Sequence, residues 1–158
     1  MPLLNLSHQT QKQQSDCLAA CAAMLLSALG IKFRYSHLVR LLKTRYYGTA
    51  FENLALLESL GVKIEIDRSD DFNNIEVLTK SLERGEPLVV AVETSELQTY
   101  WTHSTSHAVV VVGIDEQNVL LNDPAFEDAP KIVPINEFLI AWGEQDYRYA
   151  ILTKNERS

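Results

Sequence analysis

The chain has two cysteines, Cys17 and Cys21, four residues apart in the stretch SDCLAACAAML that begins at Ser15. In a helix that spacing puts both thiols on one side, one turn apart. Core packing is the ordinary fate of a cysteine in an apolar helix, and it suits Cys21, which lies among Ala and Met. A disulfide across one helical turn would need strained geometry and an oxidising compartment. A zinc site needs about four ligands, and the four histidines (His8, His37, His103 and His107) are spread along the sequence. Neither a disulfide nor a metal is therefore expected. Cys17 differs from Cys21 by position. It opens the helix, where unpaired N–H groups and the positive dipole end favour an anion and make a thiolate nucleophilic.

A cysteine nucleophile needs a base, and the base needs a group to orient it. His107 opens the apolar run HAVVVVGI, and Asp123 ends VLLND just before Pro124. If these two strands pair as a hairpin, both side chains fall at the same end of a sheet. Taken singly, each has a plain structural role: a half-buried histidine at a strand end, and a turn-forming aspartate before proline. Taken with Cys17 they describe a Cys-His-Asp triad. His103 is a rival base, but His107 starts the strand and is the more rigidly placed. Acyl transfer also needs donors for an oxyanion. The Cys17 backbone N–H offers one. Gln11, Gln13 and Gln14 in QKQQSDC offer a side-chain amide, and composition does not choose among them.

The elements that must position these groups fall into two halves. Asp16 reads as the N-cap of CLAACAAMLLSAL, which stops at Gly30 and is apolar nearly all round, hence a buried central helix. Ser36 reads as the cap of HLVRLLKTR, and FENLALLESL as a third helix ending at Gly61. NNIEVLTKSLERG follows a five-residue strand, VKIEI, with Asn73 or Asn74 as cap. SDDFNN reads as a solvated capping turn rather than a calcium loop. The second half reads as strands: EPLVVAVE, HAVVVVGID and NVLLNDP joined by EQ, KIVPI, and YRYAILT after a brief helix in NEFLIAW. Helices followed by an antiparallel sheet give the α+β class.

At 158 residues, 46% hydrophobic and 22% charged, the composition suits one domain over 1–158 with a sizeable core. A net charge of −7 with scattered Lys and Arg offers no basic face, so nucleic acid is not expected as a partner. The polar N-terminus has no signal-peptide pattern, and no apolar run is long enough to span a bilayer, so the expected setting is cytoplasmic with reduced thiols. No cofactor is expected.

The stretch from Gln11 to Cys21 resembles the N-terminal motif of the peptidase C39 family of papain-like cysteine peptidases, which reads Q, four residues, D-C-G, one residue, A-C. HAVVVVGID is similar to that family's H-x-V-V-x-x-G strand, and VLLNDPA to its D-P segment. The resemblance runs from about Gln11 to Trp142. It implies a papain-like fold, with a helical part and an antiparallel sheet as the walls of a cleft. It also implies Gln11 as oxyanion donor, Cys17 as nucleophile, His107 as base then acid, Asp123 as orienter, and Cys21 as structural. The family's Gly after the nucleophile is Leu18 here. No membrane span and no P-loop follow the D-P segment, so a stand-alone enzyme is expected.

These features point to a cysteine peptidase acting on a peptide or protein. Transporter-linked relatives cut after paired small residues. Leu18, if turned into the cleft, would narrow the choice further; if turned inward, it would only pack. Trp101, in LQTYWTHSTSH, is a candidate for stacking on a bound chain, against the plainer role of an anchoring aromatic in a surface loop. An acyltransferase or amidase would use the same triad, and nothing in the sequence separates transfer from hydrolysis. A non-catalytic peptide-binding module would have no need of the complete set of polar groups.

Overall fold

A computed structural model describes residues 3–155; the outermost residues of the expected 1–158 domain lie outside the described residues. Helices α1 (Cys17–Ala28) and α2 (Tyr35–Leu41) and a 3₁₀ helix at Phe51–Leu60 come first. Strand β1 (Val62–Arg68), helix α3 (Asn74–Glu83), and strands β2 (Leu88–Glu93), β3 (Ser106–Ile114), β4 (Asn118–Asn122) and β5 (Lys131–Pro134) follow. Helix α4 (Ile135–Gly143) and strand β6 (Arg148–Lys154) close the order. The strands form one sheet, β1-β6-β2-β3-β4-β5, antiparallel throughout. The α+β expectation holds.

Alternation along β2 and β3 explains their unbroken apolar runs. Val89, Ala91, Ala108, Val110 and Val112 face α1, α2 and the 3₁₀ helix. Leu88, Val90, Val92, Val109 and Val111 face α3 and α4. A strand buried on both faces has no polar side to show. On the first face Ala19, Ala22 and Ala23 of α1 share the core with Ala91 and Ala108. Small side chains on both surfaces let helix and sheet approach closely, so enlarging one, as in Ala22→Leu, should cost about 1–3 kcal/mol of overpacking.

Three expectations are corrected. The stretch FENLALLESL is 3₁₀ rather than α: Phe51, Leu54, Leu57 and Leu60 recur every third residue, and three residues per turn lines them along one edge, the first three of them buried. It ends at Gly61, whose φ of +89° suits glycine. Ser36 does not cap α2, which starts one residue earlier and has Arg34 at the N-cap position. Asp16 holds the N-cap position of α1 but makes no capping bond to it; its carboxylate is used elsewhere, as described below.

The N-terminal segment carries no pattern that announces its path, yet it sets the site. Leu3 bridges to Gly113, and the Leu4 N–H donates to the Val112 carbonyl at 2.7 Å, beside a β-bulge between Val111 and Gly113. From there the chain runs along the sheet to its other end. His8 Nε2 bonds the Phe126 carbonyl at 2.7 Å, and the Gln11 N–H donates to the Pro124 carbonyl at 2.8 Å. Gln11 is thereby pinned beside Asp123, and α1 begins at the end of the sheet where β3 starts and β4 stops.

Candidate active site

His107 is the second residue of β3 and sits opposite Val92 of β2. Asp123 directly follows β4. The register that pairs Val110 with Asn122 brings the two side chains to the same end and face of the sheet. His107 Nε2 and Asp123 Oδ1 are 2.7 Å apart, with Asp123 fully buried and His107 nearly so. The Cys17 thiol is the other side chain close enough to raise the imidazole's pKa. With Nε2 given to Asp123, Nδ1 is the ring nitrogen left for the thiol. Three elements, α1, β3 and the end of β4, thus bring together Cys17, His107 and Asp123.

The electrostatics follow from the contacts. Burial alone would push the imidazole pKa down. The hydrogen bonds to Asp123 and Cys17, with the negative charge on each, outweigh burial and hold it at about 9. Burial would push the Asp123 carboxyl up, but the hydrogen bond and charge of His107, the Tyr100 hydroxyl and the Ala125 N–H bring it below the usual carboxylate range. Asp123 accepts four hydrogen bonds: His107 Nε2 and the Ala125 N–H (3.0 Å) on Oδ1, and Tyr100 Oη (2.7 Å) and Trp101 Nε1 (2.9 Å) on Oδ2. Cys21, one turn along α1, is fully buried, and burial pushes its thiol well above the ordinary range, helped by the nearby Cys17 and Asp123. Both thiols are free.

The loop before Cys17 is organised differently. The Asp16 carboxylate is 3% exposed and turns back to accept the Gln13 N–H at 3.0 Å and the Lys12 N–H at 3.3 Å. The Gln11 side chain is also turned onto its own loop. Its Nε2 donates to the Gln13 carbonyl at 2.8 Å and the Gln14 carbonyl at 3.1 Å. Gln11 Oε1 is buried and has no hydrogen-bond partner among the described residues. Gln13 and Gln14 contribute their carbonyls to Gln11 rather than an amide to the site.

Cys17, His107 and Trp101 line a cleft of about 1100 Å³ whose other wall carries Tyr46, Tyr47 and Phe51. His103 lines it too, at 5.0 Å from the Trp101 ring, and is not bonded to Asp123. Leu18 borders the cleft through its position after Cys17, but it is only 2% exposed and its side chain packs in the core beneath α1. Trp101 lines the cleft with its ring 5.0 Å from that of His107, while its N–H is committed to Asp123. Tyr100 and Phe126 complete an aromatic cluster around it. The bond from Tyr100 to Asp123 is not foreseen by the sequence reading; the adjacency of Tyr100 to Trp101, seven residues before His107, is the signal that could have pointed to it. A second cavity of about 830 Å³, between the end of β6 and the start of β2, holds none of these groups. Among the described residues no three His, Cys, Asp or Glu side chains are grouped as a metal site would require, and no helix is long and apolar enough to cross a membrane.

A buried carboxylate, an imidazole and a thiol at a helix start can generate a thiolate and shuttle its proton. No curated protein matches the chain in sequence. Among solved structures, a protein from Bacillus anthracis described as a C39-like peptidase superposes with a TM-score of 0.80 at 19% identity, covering 99% of this chain and 100% of that one. The double glycine motif protease of an AMS/PCAT transporter, solved in complex with the leader peptide, gives 0.77 at 16% identity, covering 98% and 95%. The peptidase domain of Streptococcus ComA, a bifunctional ABC transporter of a quorum-sensing pathway, gives 0.76 at 18%, covering 96% and 100%. These likenesses establish a shared fold. The sequence model of the Peptidase_C39 like family matches residues 3–150, and the chain therefore belongs to that family of cysteine-type peptidases.

Proposed function

We propose that Cys17, His107 and Asp123 are the catalytic triad of this peptidase, with Gln11 and the Cys17 N–H as oxyanion donors. The observation that carries the reading is the imidazole of His107, held between the buried Asp123 carboxylate and a thiol at the first residue of α1. His107 Nδ1 takes the thiol proton, and the Cys17 thiolate attacks the carbonyl carbon of the scissile peptide. The oxyanion is met by the Cys17 N–H, which has no partner inside the helix, and by the Gln11 amide once it leaves the Gln13 and Gln14 carbonyls. Nδ1 then gives its proton to the amine as the C–N bond breaks, leaving a thioester on Cys17. Water gives a proton to Nδ1 and attacks the thioester, releasing the acid and restoring the thiol. Asp123 keeps the Nε2–H pointed at itself throughout and stabilises the imidazolium.

The substrate in this reading is a peptide or protein laid along the cleft, cut after small residues. The likeness to a double glycine motif protease supports that preference; the bulk of Leu18 does not, because its side chain lies in the core. Mass spectrometry of products from a peptide library, with wild type beside Cys17→Ala, tests both parts. Cleavage after Gly or Ala by the wild type alone is expected. Cleavage by both proteins would remove Cys17 from the mechanism, and cuts after bulky residues would remove the preference.

A further inference from the structure

Asp123 spends only one of its two oxygens on the imidazole. The other, Oδ2, takes the Tyr100 hydroxyl at 2.7 Å and the Trp101 indole N–H at 2.9 Å. A carboxylate on a single Cα–Cβ stem can swing about its χ torsions. Here it cannot swing away without leaving two part-buried donors unpaired. Hydrogen bonds to an ionised acceptor are stronger than those between neutral groups, so both donors hold it firmly. The Ala125 N–H adds a further bond on Oδ1 at 3.0 Å. Tyr100 and Trp101 are themselves held. Both rings lie 5.2 Å from Phe126, and Lys131 Nζ lies over the Tyr100 ring at 5.4 Å and the Phe126 ring at 4.9 Å. The Trp101 ring also stands edge-on against His107 at 5.0 Å.

We propose that Tyr100 and Trp101 are positioning residues of this peptidase: as a pair of donors on Oδ2 they aim the Asp123 carboxylate, so that Oδ1 holds His107 with Nδ1 turned to Cys17. The proposal rests on the triad reading above and assigns Trp101 a second task besides lining the cleft. The two residues act through Asp123, which accepts the side-chain hydrogen bond of each. The groups facing the imidazole are Asp123, Cys17 and the Trp101 ring. Of these, Asp123 and Cys17 raise its pKa, and the Asp123 contribution depends on the carboxylate staying in place.

The test uses Tyr100→Phe, which removes one hydroxyl and keeps the ring, and the double variant Tyr100→Phe/Trp101→Phe. The first readout is the His107 imidazole pKa, followed by NMR in the full chain without substrate. It should fall from about 9 toward the ordinary histidine value in the double variant and partway in the single one. An unchanged His107 pKa with only a lower melting temperature would make the pair structural and overturn the proposal. A rise would mean that the donors only withdraw charge from Asp123, which overturns it equally. The second readout is turnover of a library-selected peptide. The kcat should drop about 10-fold to 100-fold, the range seen when a group orienting a working residue is lost, with KM within about twofold. An unchanged kcat in a folded variant also overturns it. If the double variant does not fold, the pKa and the kcat of the single variant decide the proposal by the same criteria. Because the NMR readout needs no turnover, a wild type that cleaves nothing would count against the triad reading while leaving this inference decided on its own.

Discussion

The two banks of the cleft are built to different standards. On the sheet side both carboxylate oxygens of Asp123 are spoken for, His107 is bonded to one of them, and two aromatic donors brace the other. On the loop side the Gln11 amide is folded onto the Gln13 and Gln14 carbonyls, and its Oε1 is buried without a partner among the described residues. The half proposed to handle the proton is held in place at rest. The half proposed to meet the oxyanion is anchored as a backbone, by Asp16 and by the Gln11 N–H on the Pro124 carbonyl, while its side-chain amide is bound to its own loop. A preorganised electrostatic site needs no rearrangement during reaction. The contrast therefore places any substrate-dependent adjustment in the stretch from Gln11 to Ser15.

The largest effect should come from Asp123→Asn. The Tyr100 and Trp101 donors keep an oxygen at the Oδ2 position, which turns the new NH₂ toward His107 Nε2. That puts the ring proton on Nδ1, the wrong tautomer for accepting from Cys17. A loss of about 10³–10⁴ in kcat is expected, as when the orienting aspartate of a serine triad is replaced by asparagine. Adding Tyr100→Phe and Trp101→Phe frees the amide to rotate, and the Ala125 N–H then draws its oxygen to the Oδ1 position. Partial recovery over Asp123→Asn alone would confirm that the sheet side is rigid because it is braced; a further loss would show that the brace serves folding only.

Gln11→Ala probes the other bank. If the amide turns over to meet the oxyanion, kcat should fall by about 10²–10³. Gln13→Ala and Gln14→Ala should be nearly silent, because Gln13 and Gln14 serve through their backbone carbonyls. If Gln11→Ala is also silent, the resting bonds to those carbonyls persist during the reaction, and the oxyanion depends on the Cys17 N–H and some other donor.

The pH profile sharpens the sheet side again. His107 has its pKa raised, to about 9, so the imidazole keeps its proton below that pH and loses it above. The basic limb of kcat/KM should fall near pH 9, with about a tenfold loss per unit beyond it. By the same sign, the stability from protonated His107 is complete below the unfolded value of about 6.5 and is lost as pH rises through 9. Asp123 works in the opposite direction: its stabilisation is present above its unfolded value of about 3.9 and is lost in acid. A basic limb near pH 6.5, read from the rate of a library-selected peptide, would mean that Asp123 does not raise His107 in solution.

Much of this is legible in the sequence because the signals are local. Cys17 at a helix start, His107 at a strand start and Asp123 before Pro124 are each fixed by a few neighbours. A hairpin through Asp115–Asn118 brings the last two together. What escapes the sequence depends on long-range contacts. The C-terminal strand β6 inserts between β1 and β2, a pairing no local pattern specifies. The N-terminal path from Leu3 to Gln11 is set by single bonds to Val112, Phe126 and Pro124. Asp16 has the composition of an N-cap, yet its carboxylate turns to the preceding loop and takes the Lys12 and Gln13 N–H groups there. The period of three in Phe51, Leu54, Leu57 and Leu60 is present in the sequence and marks the 3₁₀ helix.

Leu18 lies where the two banks meet, and its replacement should change turnover least. The residue follows Cys17, the proposed nucleophile, where the resemblance to transporter-linked peptidases would place glycine. A side chain in the cleft would restrict what fits beside the scissile bond. The side chain is instead 2% exposed and packed with the core under α1, so it anchors the first helical turn from below. Leu18→Gly should then lower stability by about 2–5 kcal/mol for the lost packing, plus up to about 1 kcal/mol for glycine in a helix. The peptide-cleavage profile of the folded protein should stay as in the wild type, with the preference before the cut unchanged. Melting curves and library profiling on the same preparations separate the two effects. A broadened profile at unchanged melting temperature would mean that Leu18 reaches the substrate, and that the loop side of the cleft rearranges as far as the first turn of α1 when a peptide binds.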